Sequence, residues 1–269
     1  MSAVFDLIAV GDNCIDRLSG AAEAALVGGN AVNVAVQAAR GGLRVAYAGA
    51  VGPEGEPEGD LVLALLAANG VDVTGVERRG LPTSVTRIHV GPDGNRRILH
   101  EDFGACAGWA PGPATRAVLA RARHVHIGWL DDAGDLRRAL AAAGVAVSQD
   151  VGVNADPANL GVEGLTLAFA ALPETEAGRA DALAADLLAQ GARGAVVTLG
   201  AAGSLARIGG QTLRAAALPV VPVDTTGAGD SYIAGFLMAR LAGADPAGAM
   251  AAGHALAART CGHVGGFPQ

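Results

Sequence analysis

Val223-Asp224-Thr225-Thr226-Gly227-Ala228-Gly229-Asp230-Ser231-Tyr232-Ile233-Ala234-Gly235-Phe236 is the stretch from which the fold can be read. The apolar run at 218–223 predicts a strand, the Thr- and Gly-rich segment a turn, and the run from about 228 to 241 a helix. Gly227 and Gly229 let the backbone turn tightly and come close to a ligand. Free N–H groups in the first turn of a helix, together with its dipole, make an anion site. Asp230 falls inside that turn. An anion cradle beside a carboxylate suits phosphoryl transfer to a hydroxyl: the N–H groups hold charge on the phosphoryl oxygens and the carboxylate takes the hydroxyl proton. The competing reading of G-A-G-D taken alone is a Gly-rich turn with an acidic residue at a helix start.

The chain has 269 residues, 51% of them hydrophobic, with 40 glycines, which fits one large α/β domain carrying a small appendage. Aromatics are only 3%, so Ala, Val and Leu must build the core. A net charge of −7 argues against a nucleic-acid-binding surface. All 19 basic residues are Arg. A P-loop lysine, a kinase strand lysine and a Schiff-base lysine are therefore all excluded, and any phosphoryl transfer must use a lysine-independent anion site. Cys14, Cys106 and Cys261 are odd in number and widely spaced, which predicts neither a disulfide framework nor a zinc site and implies a reducing, cytoplasmic setting. No signal peptide and no membrane span is expected.

Along the chain, residues 4–11 read as a buried first strand, followed by the polar group Asp12-Asn13-Cys14-Ile15-Asp16 at its end, where open α/β sheets place ligands. Residues 28–42 read as a Gly-Gly turn and a helix stopped by Gly41-Gly42, 44–49 as a strand, and 60–69 as a helix. Residues 84–90 and 96–100 alternate around turn chemistry at 91–95, predicting a β-hairpin flap at about 81–103 that lies outside the main core. Strands at 124–128, 145–150, 165–170 and 195–200 alternate with helices at 133–143 and 174–190. A hairpin at 204–214 and a last helix at 246–260 complete the chain. Repeated βα units of this length imply a mainly parallel sheet covered by helices on both faces, and no linker divides residues 1–269. Asn30 and Asn33 share a helix face, either as amides for sugar hydroxyls or as helix-cap residues. His124 and His126 lie on a strand, where satisfied buried histidines are commoner than ligands, and Trp109 and Trp129 read first as packing.

The string D-T-T-G-A-G-D-S-Y-x-A-G-F at 224–236 resembles the C-terminal signature of the ribokinase-like (PfkB) carbohydrate kinases. Gly28-Gly29-Asn30-Ala31-Val32-Asn33-Val34-Ala35 resembles their N-terminal signature, G-G-x-x-x-N-x-A, and Thr198-Leu199-Gly200-Ala201-Ala202-Gly203 their T-x-G-x-x-G loop. The resemblance implies a ribokinase-like α/β fold using ATP and Mg²⁺. It makes Asp230 the catalytic base, and Gly227, Ala228 and Gly229 the anion hole. It places Thr198, Gly200, Gly203, Thr225 and His254 around the nucleotide. It places Asp16, with Asp12 and Asn13, and Gly28, Gly29, Asn33 and Asn30 around the acceptor sugar. Glu176 resembles the Glu of the N-x-x-E motif, which organises Mg²⁺ through water, although Pro173 stands where the Asn should be. Asp224 and Thr226 flank a region that binds a monovalent cation in many members. Between Asp16 and Gly28 there are too few residues for the lid strands of ribokinase itself, so no such lid is expected there.

The wording Gly11-Asp12-Asn13-Cys14-Ile15-Asp16 and Gly28 to Val36 looks most like the fructoselysine (fructosamine) 6-kinases. That implies transfer of the γ-phosphoryl group of ATP to the 6-hydroxyl of a ketosamine, with Arg87 on the flap meeting the acceptor or its amino-acid tail. A kinase for a ketohexose, ribose or a nucleoside, and a sugar- or nucleotide-binding protein without turnover, are the alternatives. A flap with an exposed apolar face could pair with a second copy in a homodimer.

Overall fold

The computed structural model describes residues 4–21, 23–91 and 96–269. Its spine is a nine-stranded sheet built from β1 (Leu7–Val10), β4 (Val45–Ala48), β6 (Val71–Asp72), β10 (Val125–Ile127), β11 (Val147–Asp150), β12 (Leu167–Ala171), β13 (Gly194–Thr198), β14 (Ser204–Ile208) and β15 (Gln211–Ala215). The order is β15-β14-β13-β12-β11-β10-β1-β4-β6. Every pairing from β6 across to β13 is parallel, and β14 and β15 close one edge as an antiparallel hairpin.

The short apolar strands have no polar face because both faces are covered, as parallel sheets require. On β1, Leu7 and Ala9 join one core and Ile8 and Val10 the other, the strand's period of two dividing the side chains between layers. The first layer holds α1 (Asn30–Arg40), α2 (Pro57–Ala68), α6 (Ala228–Leu241) and α7 (Pro246–Thr260). The second holds α3 (Pro113–Leu119), α4 (Asp135–Ala142) and α5 (Ala180–Ala189). Helices α6 and α7 touch backbone to backbone. A Cβ on Gly235 would lie 2.7 Å from the Ala252 carbonyl oxygen, and one on Gly253 would lie 2.9 Å from the Tyr232 ring. Only residues without side chains permit that approach, and it fixes where the first turn of α6 points.

A second sheet, ordered β3-β2-β8-β9, stands over the carboxyl ends of the main strands. It comprises β2 (Cys14–Gly20), β3 (Ala24–Gly28), β8 (Val85–Val90) and β9 (Arg96–Asp102); the two-residue strands β5 (Ala50–Val51) and β7 (Glu77–Arg78) pair separately. The flap hairpin is present, and residues 92–95 of its turn lie outside the described residues. The expectation that 16–28 is too short for lid strands is overturned. β2 carries straight on from the end of β1, β3 returns antiparallel to it, and β2 pairs with β8. The lid therefore has four strands, and its own small core is Leu18, Ile88 and Val90.

Two further readings need correction. Residues 218–223 form no strand. Val221 is 91% exposed and Val223 65%, because the sheet already ends at β15 and this segment skirts a cavity instead. The helix expected at 174–190 opens as a 3₁₀ turn, Glu174–Arg179, before α5.

Candidate active site

The carboxyl ends of β1 and β11 and the first turns of α1 and α6 converge under the lid. Gly227 caps α6 with φ 72°, a left-handed conformation that favours glycine, and a Cβ there would lie 2.5 Å from the Gly266 Cα. Among the described residues, the N–H groups of Gly227 and Gly229 meet no acceptor, whereas Ala228 N–H donates to the Thr225 carbonyl at 3.2 Å. Within the expected trio, Gly227 and Gly229 are thus the open donors. Gly229 lines a cavity, and nothing lies within 4 Å of where its Cβ would sit.

Asp230 is partly accessible, yet both its oxygens are held. Oδ1 accepts from Asn30 Nδ2 at 2.7 Å and Oδ2 from Asn33 Nδ2 at 2.7 Å. Asn30 Nδ2 also donates to Asp150 Oδ2 at 2.8 Å. The two Asn of α1 therefore position this carboxylate, and Asn30 has no amide hydrogen left for a sugar. Burial pushes the Asp230 carboxyl up to about 7, against the opposing pull of Asn33, with the neighbouring Asp150 and Asp12 raising it further. Burial likewise takes Asp150 to about 6. A base poised near neutrality is well matched to removing a hydroxyl proton. Asp150 was not singled out from sequence; its place at the carboxyl end of a predicted strand was the available signal.

Asp12 anchors the start of α1. Its Oδ2 accepts from Asn30 N–H at 2.8 Å and its Oδ1 from Ala31 N–H at 3.2 Å and Trp129 N–H at 3.1 Å. Both its oxygens are taken up by backbone, so it holds α1 in place. A Cβ on Gly29, at φ 108°, would lie 3.0 Å from that carboxylate, and one on Gly28 would meet Asp16 Oδ2 at 2.8 Å. Asn13 does not reach the cleft. Fully buried, it donates to the Tyr47 hydroxyl at 3.0 Å and to the Ala50 carbonyl at 2.7 Å. Arg87 also turns away. The register pairs Asp16 with Thr86 and Arg17 with Arg87, so Arg87 shares the outer face with Arg17, whose guanidinium reaches Glu58 of α2 at 2.5 Å. Thr86 is the β8 side chain on the Asp16 face. Next to it, Phe103 stacks on Trp129 at 4.1 Å, and Asn154 donates to Glu101 of β9 at 3.1 Å, tying lid to main sheet.

Beyond Gly229 a cavity of about 790 Å³ is lined by Thr198, Gly200, Gly203, Thr225 and His254, together with the 217–220 segment, Ala257 and Ala258. All five residues expected around the nucleotide meet there. Its size suits a nucleotide. Gly200 and Gly203 both take positive φ, so the loop can pass close under a ligand. His254 is held by Ser204 Oγ at 2.9 Å and by the edge of Tyr232. Glu176 is not at this cavity. It pairs with Arg179, while Glu174 lines the cavity and accepts from Ala201 N–H at 2.9 Å. The 3₁₀ geometry of 174–179 turns Glu174 toward the cavity and Glu176 away from it. Asp224 is engaged with Thr226 N–H and hydroxyl and with Gly265 N–H at 2.8 Å, an arrangement that braces the turn.

The sequence pattern of the pfkB family carbohydrate kinases matches residues 6–267. The chain belongs to that family. It is 37% identical over 264 residues to a fructoselysine 6-kinase of Shigella flexneri, with 97% of this chain and 99% of the relative covered. A fructoselysine 6-kinase of Escherichia coli K12 is 35% identical over 97% of this chain and 99% of its own. The structure of Arabidopsis thaliana ribokinase complexed with ribose and ATP superposes with a TM-score of 0.86 at 22% identity, covering 100% of this chain and 96% of that one. The ribokinase-like fold is therefore established, and the protein is an ATP-dependent sugar kinase. Gly229, with its open N–H, lines the cavity and immediately precedes Asp230 in the first turn of α6.

Proposed function

We propose that this kinase transfers the γ-phosphoryl group of ATP to the 6-hydroxyl of fructoselysine or a related ketosamine. One observation carries the transfer chemistry: Asp230, held by two Asn amides, lies one residue beyond the open N–H of Gly229 at the mouth of the cavity. The acceptor assignment is supported by the full-length likeness to two curated fructoselysine 6-kinases. It is also supported by chemistry, since Asp16 and Asp150 surround the cleft with carboxylate, which suits an amine-bearing sugar better than a neutral one.

In the proposed reaction the Gly227 and Gly229 N–H groups bind the phosphoryl oxygens and Asp230 accepts the hydroxyl proton. Asn30 and Asn33 keep the carboxylate aimed, and the lid excludes water. Among the described residues no group of three or more His, Cys, Asp or Glu could cage a metal ion. That fits Mg²⁺, which keeps its waters and binds mainly through substrate phosphates, with Glu174 the nearest acid at the cavity. Bound there, Mg²⁺ would neutralise charge on the transferring phosphates. A monovalent cation near Asp224 would have to share a carboxylate already braced by Thr226 and Gly265.

The test is ADP release with fructoselysine, fructose, ribose and adenosine. Fructoselysine is expected to exceed the others in kcat/KM by about 10²-fold or more, because its amine meets the carboxylates of Asp16 and Asp150 with opposite charge and the other acceptors do not. Equal or higher kcat/KM with ribose or adenosine would overturn the acceptor and leave the kinase. A homodimer through the lid belongs to the same proposal, since Ile98 and Leu99 on the edge strand β9 are 57% and 51% exposed. Sedimentation at working concentration should give twice the chain mass, and a monomer that stays monomeric would remove that part.

A further inference from the structure

Polar side chains inside a parallel sheet are costly unless every hydrogen bond is made. His126 on β10, His124 just ahead of that strand and Ser148 on β11 are all buried in the main sheet. His124 Nε2 lies 2.8 Å from Ser148 Oγ, and Ser148 Oγ lies 2.9 Å from His126 Nδ1. His126 Nε2 then lies 3.2 Å from Asn30 Oδ1. The chain ends at Asn30, whose amide nitrogen serves Asp150 and Asp230.

The direction of every proton in this chain follows from its end. Two carboxylates must face donors, so the Asn30 NH₂ group points at them and its oxygen points at His126. That oxygen can only accept, so His126 carries its proton on Nε2. Burial pushes His126 down to about 3 and His124 to about 4, so both rings are neutral near pH 7. His126 Nδ1 must then accept from the Ser148 hydroxyl, which in turn accepts from His124 Nε2–H. One arrangement satisfies every group.

We propose that the His124–Ser148–His126 chain is a positioning device for catalysis, which locks the Asn30 amide so that its donors, and not its oxygen, face Asp230. This inference rests on Asp230 being the base. None of the three residues touches substrate. Without the His126 donor, Asn30 can turn over and set its oxygen against two carboxylates. The groups facing Asp230 are Asn30 and Asn33 from α1, Asp150 from the end of β11 and Asp12 from the end of β1. Of these only the two Asn hold its charge, and Asn33 would remain alone.

The sign follows. A base works deprotonated, and losing a donor to the carboxylate raises its proton affinity. The acid limb of kcat against pH should therefore move to higher pH. Replacing His126 by Phe is expected to move it by about one to two units, the equivalent of one hydrogen bond to a charged group. KM for ATP should stay unchanged. His126→Gln, which can still donate to Asn30, should bring the limb back. Ser148→Ala should shift it in the same direction by less, and serves if His126→Phe does not fold. The midpoint of the Asp230 carboxyl carbon signal by NMR, assigned with Asp230→Asn, reads the same quantity without turnover. A limb and a midpoint that stay at the wild-type position in His126→Phe or Ser148→Ala, with only the melting temperature lowered, would make the chain mere core filling. Normal turnover in Asp230→Asn would instead remove the base on which the inference stands.

Discussion

Asp230→Asn should lower kcat by about 10²–10⁴-fold, the usual contribution of a general base. KM for ATP should stay near the wild-type value, because the nucleotide cavity lies on the far side of Gly229. The physical reason is local. Asp230 is the only carboxylate in the first turn of α6, and both of its oxygens are already aligned by Asn30 and Asn33. Asp150 is 2.8 Å from the same Asn30 nitrogen but belongs to β11 and sits away from the anion hole. The Asn variant also sets an amide NH₂ against one of those two donors, so Asp230→Ala is the companion that avoids a donor facing a donor. Turnover near wild type in both variants would sink the assignment of the base.

Gly227→Val should be nearly as damaging, by a different route. The residue has φ 72°, and its Cβ would lie 2.5 Å from the Gly266 Cα, which is backbone and cannot swing aside. A side chain in the left-handed region costs about 1–2 kcal/mol before any clash is counted, and more for a β-branched one. The turn must shift, and with it the two N–H groups aimed at the phosphoryl oxygens. Losing one such donor typically costs about 10²–10³-fold in kcat. Both kcat and melting temperature should fall. Gly229→Ala is the control: its methyl meets nothing within 4 Å, so it should fold as the wild type while narrowing the cavity mouth. A Gly227→Val protein with wild-type kcat and stability would mean the turn is not the anion hole.

The helices were the most legible part of the sequence. The predicted bounds of α6 and α7 match the structure, because Gly227 and Pro246 start them and Gly243 stops the first. The parallel sheet followed from strands without a polar face. Segment 218–223 misled because an apolar run also arises where a chain lines a cavity, and period alone cannot separate the two. Length compared with a larger relative hides the lid strands β2 and β3, although 14–18 and 24–28 suffice to pair antiparallel. Alternation along β8 gives parity but not its origin, so it does not say which face Arg87 occupies; only the pairing of Arg17 with Arg87 sets that. Asn30 and Asn33 were seen as a polar pair, but their partner is 197 residues away from Asn33, a distance in sequence that no local pattern spans. Asp150 and Glu174 were overlooked for the same reason. What makes them part of the site is the company they keep in space.

Residues 265–269 deserve to be viewed as a mechanical part. At one end Gly265 N–H is fastened to Asp224, and Gly266 lies against Gly227 with its carbonyl held by Gln37 Nε2 at 2.7 Å. At the other end the Gln269 carboxamide grips both backbone groups of Val27, accepting from its N–H at 2.8 Å and donating to its carbonyl at 2.5 Å. Val27 is on the outer strand of the lid, while Gly227 caps α6 at the corner proposed as the anion hole. The segment is thus a tie-rod between the two. At this edge the lid cannot hinge away without breaking its grip or pulling on the cap of α6, so load is carried from cover to helix start along a single short length of backbone.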